Sequence, residues 1–282
     1  MKQHFSVSDI NICWVNGDLF APEEKAVSAI DHGIIVGDGV FETVKVINGS
    51  PFAISRHLRR LNESSKGLGL DPPDSKTVMK AVEEILNADR ESERLRITWS
   101  SGPGPLSSSR GNQTGTLSLA SSAGTKWPES EKIHISQWTR NENGALNGIK
   151  STSYAENVIV LKEASDLGCS EAVFLNTKGN VCEGTGTNIF FVIDDVLVTP
   201  SLDSGCLAGI TRELIIELTP VTEREISFQE ISQASEAFLT SSTRDISAIS
   251  SIDETNLPKV PGEVTENVKK KFADLIESDL DP

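Results

Sequence analysis

The feature that most constrains this chain's fold is a recurring unit. A short run of β-branched and apolar residues stops at a two-residue turn signal. Val40 to Val46 alternates apolar with polar residues and ends at Asn48-Gly49. Ile10 to Val15 ends at Asn16-Gly17-Asp18, and Leu19-Phe20 begins the return. Asn188 to Ile193 is strongly apolar after its first residue, turns at Asp194-Asp195 and resumes at Val196 to Thr199. Asn-Gly pairs accept the positive φ of a tight hairpin, so these runs predict hairpin-linked strands. The strongly apolar run at 188–193 predicts a buried strand. Further strands are expected over Arg94–Trp99, Thr116–Ala120, Ile133–Trp138, Ala172–Leu175, Ser235–Thr240 and Ile246–Ile249.

Helical spacing interrupts the strands. Leu58, Leu61 and Ser65 share one face of a helix over Ser55–Gly67, which also carries Arg56, Arg59, Arg60 and Lys66. Val78, Val82, Ile85 and Leu86 recur at three-to-four spacing over Ser75–Ala88. Three more helices are expected: Asn157–Leu167, one opening at Gly209 and running through Leu218, and Val264–Ile276. Ser100–Gln113, rich in Ser, Gly and Pro, is expected to be a mobile loop. Ser121–Ser130 is the best linker candidate. With 282 residues and roughly 150 residues per domain, the expectation is an α+β chain of two domains. A smaller N-terminal α/β domain covers 1–122 and a larger C-terminal α/β domain covers 123–282.

Charge and composition exclude several functions. A net charge of −15 disfavours non-specific binding to nucleic acid or anionic membranes, which need basic patches. The cysteines at 13, 169, 182 and 206 and the histidines at 4, 32, 57 and 134 lack metal-ligand spacing. No metal is expected, and free buried thiols fit a reduced, cytoplasmic protein. Met1–Ser6 has no apolar signal-peptide core. No apolar run approaches the roughly 20 residues of a membrane span.

Several groups could do chemistry. Lys150 follows small and apolar residues and precedes a helix. Gly209-Ile210-Thr211 opens a helix, where free N–H groups and the dipole favour an anion. Ser241-Ser242-Thr243 offers hydroxyls, and Arg60 a guanidinium suited to phosphate. Gly184-x-Gly186 precedes a strand rather than a helix, so it is not a dinucleotide fingerprint, and no Walker lysine pattern is present. A lysine that carries an aldehyde cofactor as a Schiff base must reach its neutral form. A pyridine-ring cofactor needs an acid at its ring nitrogen, which Glu183 could supply. Taken singly, each group also reads as a surface lysine, an ordinary cap or a solvated helix face.

Three blocks in order, Gly37-Asp38-Gly39-Val40-Phe41-Glu42, Glu183-Gly184-Thr185-Gly186-Thr187-Asn188 and Gly209-Ile210-Thr211-Arg212, resemble the class IV (fold type IV) pyridoxal-phosphate aminotransferases. That family spans branched-chain and D-amino-acid aminotransferases and 4-amino-4-deoxychorismate lyases. The likeness runs from about Ile12 to Ile249. It implies a two-domain fold whose larger domain is a pseudo-barrel, usually in a homodimer. It implies pyridoxal 5′-phosphate as cofactor, Lys150 as the Schiff-base lysine and proton carrier, and Glu183 as partner of the pyridine nitrogen. Arg60, Ile210, Thr211 and Ser242 would hold the phosphate, Leu207 would pack on the ring, and Tyr154 would bond near the lysine. Phe41, Arg96, Thr243 and Arg244 would border the substrate, with surface exposure the alternative for Arg96 and Arg244. Ser101 stands where D-amino-acid enzymes carry a carboxylate-binding arginine, and Phe41 where they carry a tyrosine. The implied activity is amino-group transfer between an amino acid and a 2-oxo acid by a ping-pong mechanism. The alternative is the lyase, which gives 4-aminobenzoate and pyruvate with the same lysine.

Overall fold

The computed structural model describes residues 10–112 and 114–282. The signal-peptide reading of Met1–Ser6 and the last residue of the expected loop, Gln113, lie outside the described residues. The chain divides into two compact units. The first comprises Met1–Thr125, Ile149–Tyr154 and Leu280–Pro282, the second Lys126–Gly148 and Ala155–Asp279.

In the first unit, β1 (Ile10–Val15), β2 (Asp18–Phe20), α1 (His32–Ile35), β3 (Gly39–Ile47), β4 (Ser50–Pro51), α2 (Ile54–Gly67), α3 (Ser75–Ala88), β5 (Arg94–Ser100) and β6 (Thr116–Ser122) follow in order. The strands form one antiparallel sheet, β2-β1-β6-β5-β3-β4. Asn16 and Gly17, and Asn48 and Gly49, all take positive φ, as the hairpin signals require. Val40, Val44, Leu95, Ile97, Leu117 and Leu119 from the sheet pack with Leu61 of α2 and Val78, Val82 and Ile85 of α3. Burying each such side chain contributes roughly 1.5–3 kcal/mol. Helix α3 begins where Asp74 accepts the Thr77 N–H at 2.9 Å, an N-cap.

Of the expected loop, Ser100 closes β5 and the described residues 101–112 form a loop, but a fastened one. Arg110 donates to both carboxylate oxygens of Asp38 and to the carbonyls of Leu68 and Gly69. His32 Nε2 donates to the Pro105 carbonyl at 2.9 Å. These partners lie far off in sequence, which is why composition alone pointed to mobility.

The second unit contains β7 (Ser130–Arg140), α4 (Ala155–Asp166), β8 (Glu171–Asn176), β9 (Val181–Gly184), β10 (Asn188–Ile193), β11 (Val196–Pro200), α5 (Ile210–Leu218), β12 (Thr222–Arg224), β13 (Glu236–Ser241), β14 (Asp245–Ile252), β15 (Thr255–Asn256) and α6 (Glu263–Ser278). Its mixed sheet runs β12-β11-β10-β13-β14-β7-β8-β9, with β15 on β14. Every residue of β10 is buried, which explains the apolar run from Ile189 to Ile193. On one side Ile133, Val173, Ile189, Phe191, Leu239 and Ile249 pack together. On the other, Val160 and Ala164 of α4 meet Ala172, Phe174, Cys182 and Cys206. Strand β9, absent from the strands expected from sequence, pairs antiparallel with β8. Among the described residues, no helix is long and apolar enough to cross a membrane.

One difference from the sequence reading bears on function. The lysine segment Ile149–Tyr154 groups with the first unit, although it follows β7 in the chain. Backbone pairing explains this. Phe41 N–H donates to the Lys150 carbonyl at 3.0 Å, Thr152 N–H donates to the Gly39 carbonyl at 2.8 Å, and Val40 and Ser151 form an antiparallel bridge.

Candidate active site

In the first unit, β3 lies between β5 and the Ile149–Tyr154 segment. The close passage explains the glycines of 37–39. Gly37 has φ +69°, and a Cβ there would lie 2.6 Å from Ser153 Oγ. Ser153 Oγ and Thr152 Oγ1 both donate to the Gly37 carbonyl. On its other side, Lys150 N–H donates to Ser64 Oγ of α2 at 3.2 Å. The lysine backbone is thus held by a strand and a helix. Its Nζ lies 4.3 Å from the centroid of the Phe41 ring and 5.8 Å from that of Tyr154. Phe41 and Tyr154 meet edge to face at 5.2 Å. The Arg96 guanidinium carbon sits 3.4 Å from the Phe41 centroid, and Arg96 NH1 donates to Thr43 Oγ1. Phe41 is fully buried, while Lys150 and Tyr154 are half-buried and Arg96 keeps exposed surface.

Alternation along β3 turns Glu42 the other way, toward α2. Arg60 Nε and NH2 donate to the two Glu42 oxygens at 2.8 and 2.6 Å, and His57 Nδ1 donates at 2.7 Å. All three residues are buried. Burial alone would push the Glu42 carboxyl up, but the Arg60 charge and the hydrogen bonds outweigh it and hold Glu42 at about 2. Burial pushes His57 down from its ordinary range. Glu42 opposes this, and the Arg60 and Lys150 charges add to it. His57 and Arg60 are three residues apart on one helix face, a spacing visible in the sequence; their shared carboxylate was not assigned a role there.

In the second unit, Glu183 stands on β9, half-buried, opposite Phe174 of β8. Its Oε2 accepts the Leu207 N–H at 2.9 Å, and Asn188 Nδ2 donates to the Leu207 carbonyl at 2.9 Å. Leu207 is therefore clamped at both backbone groups. Arg140 Nε lies 3.6 Å from Glu183 Oε1 and has no hydrogen-bond partner among the described residues. Arg140 also rests 4.2 Å over the Phe174 ring. Arg140 escaped the sequence reading, because nothing local to Trp138–Asn141 marks it.

Helix α5 opens at Gly209, which makes no side-chain capping bond, and Ile210 and Thr211 are buried in its first turn. A Cβ at Gly209 would lie 2.0 Å from Asn188 Oδ1. Asn188 pairs across the sheet with Thr240, whose buried hydroxyl has no hydrogen-bond partner among the described residues. We expect Gly209→Ala to destabilise the protein by about 1–3 kcal/mol, the usual effect of overpacking, read as a lower denaturant midpoint. Thr240 and Asn188 also escaped assignment from sequence, because only strand pairing sets them together.

Ser242 and Thr243 are half-buried in the turn between β13 and β14. Trp127 Nε1 donates to the Thr243 carbonyl at 2.9 Å. Arg244, expected either at the substrate carboxylate or on the surface, is buried. It pairs with Glu131 at 3.0 Å and Glu171 at 3.6 Å and lies over Trp127 at 3.9 Å. Glu171 in turn accepts from the Thr185 N–H and hydroxyl and from Thr187 Oγ1. Among the described residues, no group of three or more His, Cys, Asp or Glu could hold a metal ion.

The profile of the class IV amino-transferases matches residues 39–252. A relative from Methanocaldococcus jannaschii, provisionally named a branched-chain-amino-acid aminotransferase, is 32% identical, covering 93% of this chain and 95% of its own. The aminodeoxychorismate lyase of Bacillus subtilis is 27% identical, with 93% and 95% covered. The crystal structure of a branched-chain aminotransferase from Thermoproteus uzoniensis superposes with a TM-score of 0.88 at 29% identity, with 95% of each chain covered. The chain belongs to the class IV aminotransferases. It is an enzyme with the α+β architecture of fold type IV, and its activity is pyridoxal-phosphate-dependent amino-group transfer.

The residues present fit that cofactor. The second unit offers an uncapped helix start at Gly209 and an unpartnered Thr240 hydroxyl, both donors suited to phosphate. It also offers a carboxylate, Glu183, fixed by a backbone N–H. The first offers a lysine whose backbone is held on both sides.

Proposed function

We propose that Lys150 is the covalent anchor and the proton carrier of a ping-pong transamination between an amino acid and a 2-oxo acid. The observation that carries this reading is the lysine's setting: a backbone fixed between β3 and α2, and an amine over the Phe41 ring. Arg60, Ile210, Thr211 and Ser242 would hold the phosphate, Leu207 would pack on the ring, and Tyr154 would steady the lysine region. Glu183 would face the ring nitrogen. When bound, pyridoxal phosphate supplies an electrophilic carbon and an electron-withdrawing ring. Lys150 Nζ accepts the proton from the α-carbon of the amino donor and later returns one to the α-carbon formed from the oxo acid. Glu183, kept in place by the Leu207 N–H, holds a proton on the ring nitrogen.

Phe41, Arg96 and Thr243 are the proposed borders of the substrate, and Arg244 acts through the turn that it holds. An aromatic ring beside the lysine suits an apolar side chain, and the branched-chain names of the relatives point the same way. We infer a homodimer in the cytoplasm. The exposed Val158 and Ile159 of α4 and the four free thiols support this reading.

Single-turnover spectra with an amino donor alone test the reaction. An aminotransferase accumulates the amino form of the cofactor. If it never does so while aminodeoxychorismate yields pyruvate, the lyase reading replaces this one. A panel of donors in both enantiomers, begun with branched-chain amino acids, identifies the substrate. Glu183→Gln is expected to lower kcat by about 10²-fold or more, because a neutral amide cannot hold the ring-nitrogen proton. Binding measured by cofactor titration should change far less.

A further inference from the structure

Helix α2 carries both His57 and Arg60, yet its own start supplies no cap. The N-cap residue is Ala53, at φ 53°, with no side chain able to accept a hydrogen bond. A helix start leaves N–H groups without intrahelical partners, and a Ser, Thr, Asp or Asn normally satisfies one of them. Here the acceptor comes from 226 positions along the chain. Ser55 N–H donates to Asp281 Oδ1 at 2.8 Å, and Ser55 Oγ donates to Asp281 Oδ2 at 2.6 Å. The flanking residues complete the attachment. Ala53 N–H donates to the Leu280 carbonyl at 2.7 Å, and Arg56 Nε to the Pro282 main-chain oxygen at 2.7 Å. A carboxylate at this end is also favoured by the helix dipole.

The first turn of α2 is the turn that delivers the site. His57 follows Ser55 by two residues, and Arg60 lies one turn further on. Both reach the same Glu42 carboxylate. Asp281 and Ser55 are themselves exposed, so their contact buries no core. Its effect falls on the geometry of that first turn. The core contacts of Leu61 hold the middle of the helix independently.

We propose that Asp281 is a positioning residue: it caps α2 from the far end of the sequence and so sets the reach of His57 and Arg60. The proposal rests on the reading of Arg60 as a phosphate ligand. Through Arg60, the cap tunes the protein's grip on pyridoxal phosphate.

The test titrates cofactor-free protein with pyridoxal phosphate, following absorbance, and records amide exchange over 55–60 in parallel. Asp281→Ala is expected to raise the dissociation constant about fivefold, the scale of losing one helix cap, and to speed exchange at the start of α2. Asp281→Asn should restore both, since its amide oxygen accepts the Ser55 N–H and its amide nitrogen can donate to Ser55 Oγ. Unchanged cofactor affinity in Asp281→Ala overturns the proposal, even if exchange speeds up, because the cap is then only structural. Failure of Asn to restore affinity overturns it as well, since charge rather than capping is then at work. Arg60→Ala separates the two readings. If it weakens cofactor binding while Asp281→Ala does not, the cap alone is wrong. If it leaves binding unchanged, the assignment of Arg60 falls and the cap's role falls with it.

Discussion

Lys150→Ala is expected to lower turnover by about 10⁴-fold and to abolish covalent retention of the cofactor after borohydride treatment. Two functions leave with one amine. Loss of a positioned general acid–base group alone typically lowers rate by about 10²–10⁴-fold, and the covalent anchor goes too. The fold should survive. The hydrogen bonds that fix this segment come from the backbone of Phe41, Lys150 and Thr152 and from Ser64, and an alanine keeps all of them. The variant should therefore unfold close to the wild-type midpoint while its visible cofactor band is lost or altered. An active Lys150→Ala protein, or a wild type from which borohydride traps no cofactor, would move the chemistry to another residue.

The second large effect is on stability. Glu42→Gln should destabilise the protein by about 3–5 kcal/mol at pH 7, the usual effect of leaving one member of a buried ion pair uncompensated. Glu42 is fully buried and takes three hydrogen bonds, two from Arg60 and one from His57. The glutamine keeps the shape but not the charge, so the Arg60 guanidinium stays buried without a counterion. The pH dependence has a definite sign. The folded-state value of Glu42, about 2, lies below its ordinary 4.5. Its contribution is thus complete above about 4.5 and is lost as pH falls toward about 2. Urea unfolding of both proteins should show a wide gap at pH 7 that narrows through that window. A gap that stays constant down to pH 3 would rule out the ionised pair as its source. Weaker cofactor binding should accompany the loss of stability, since Arg60 loses the carboxylate that aims it.

The ion pair at Arg244 shows how burial redirects a sequence-level expectation. A guanidinium in a loop bordering a substrate pocket reads naturally as a carboxylate ligand. Its neighbours Glu131 and Glu171 come from β7 and β8, more than seventy residues earlier in the chain, and no local pattern announces them. Arg140, Asn188 and Thr240 escaped for the same reason. They have site neighbours only because strands distant in sequence pair or helices cover them.

The sequence by itself determined everything that depends on near neighbours. Asn16-Gly17, Asn48-Gly49 and Asp194-Asp195 dictate hairpins because they tolerate positive φ, and all six residues adopt it. The three-to-four spacing over Ser75–Ala88 dictates a helix with those bounds, and the apolar run at Asn188–Ile193 dictates a strand buried on both faces. The residue order of the motif blocks identified the family. Only the tertiary structure decided which unit the lysine segment joins, which carboxylate aims Arg60, where Arg244 spends its charge and what caps α2. Those outcomes rest on hydrogen bonds and ion pairs between residues tens to hundreds of positions apart. Turn propensity and helical period act over a few residues, whereas these partners meet only when sheet pairing and core packing fix the path of the whole chain.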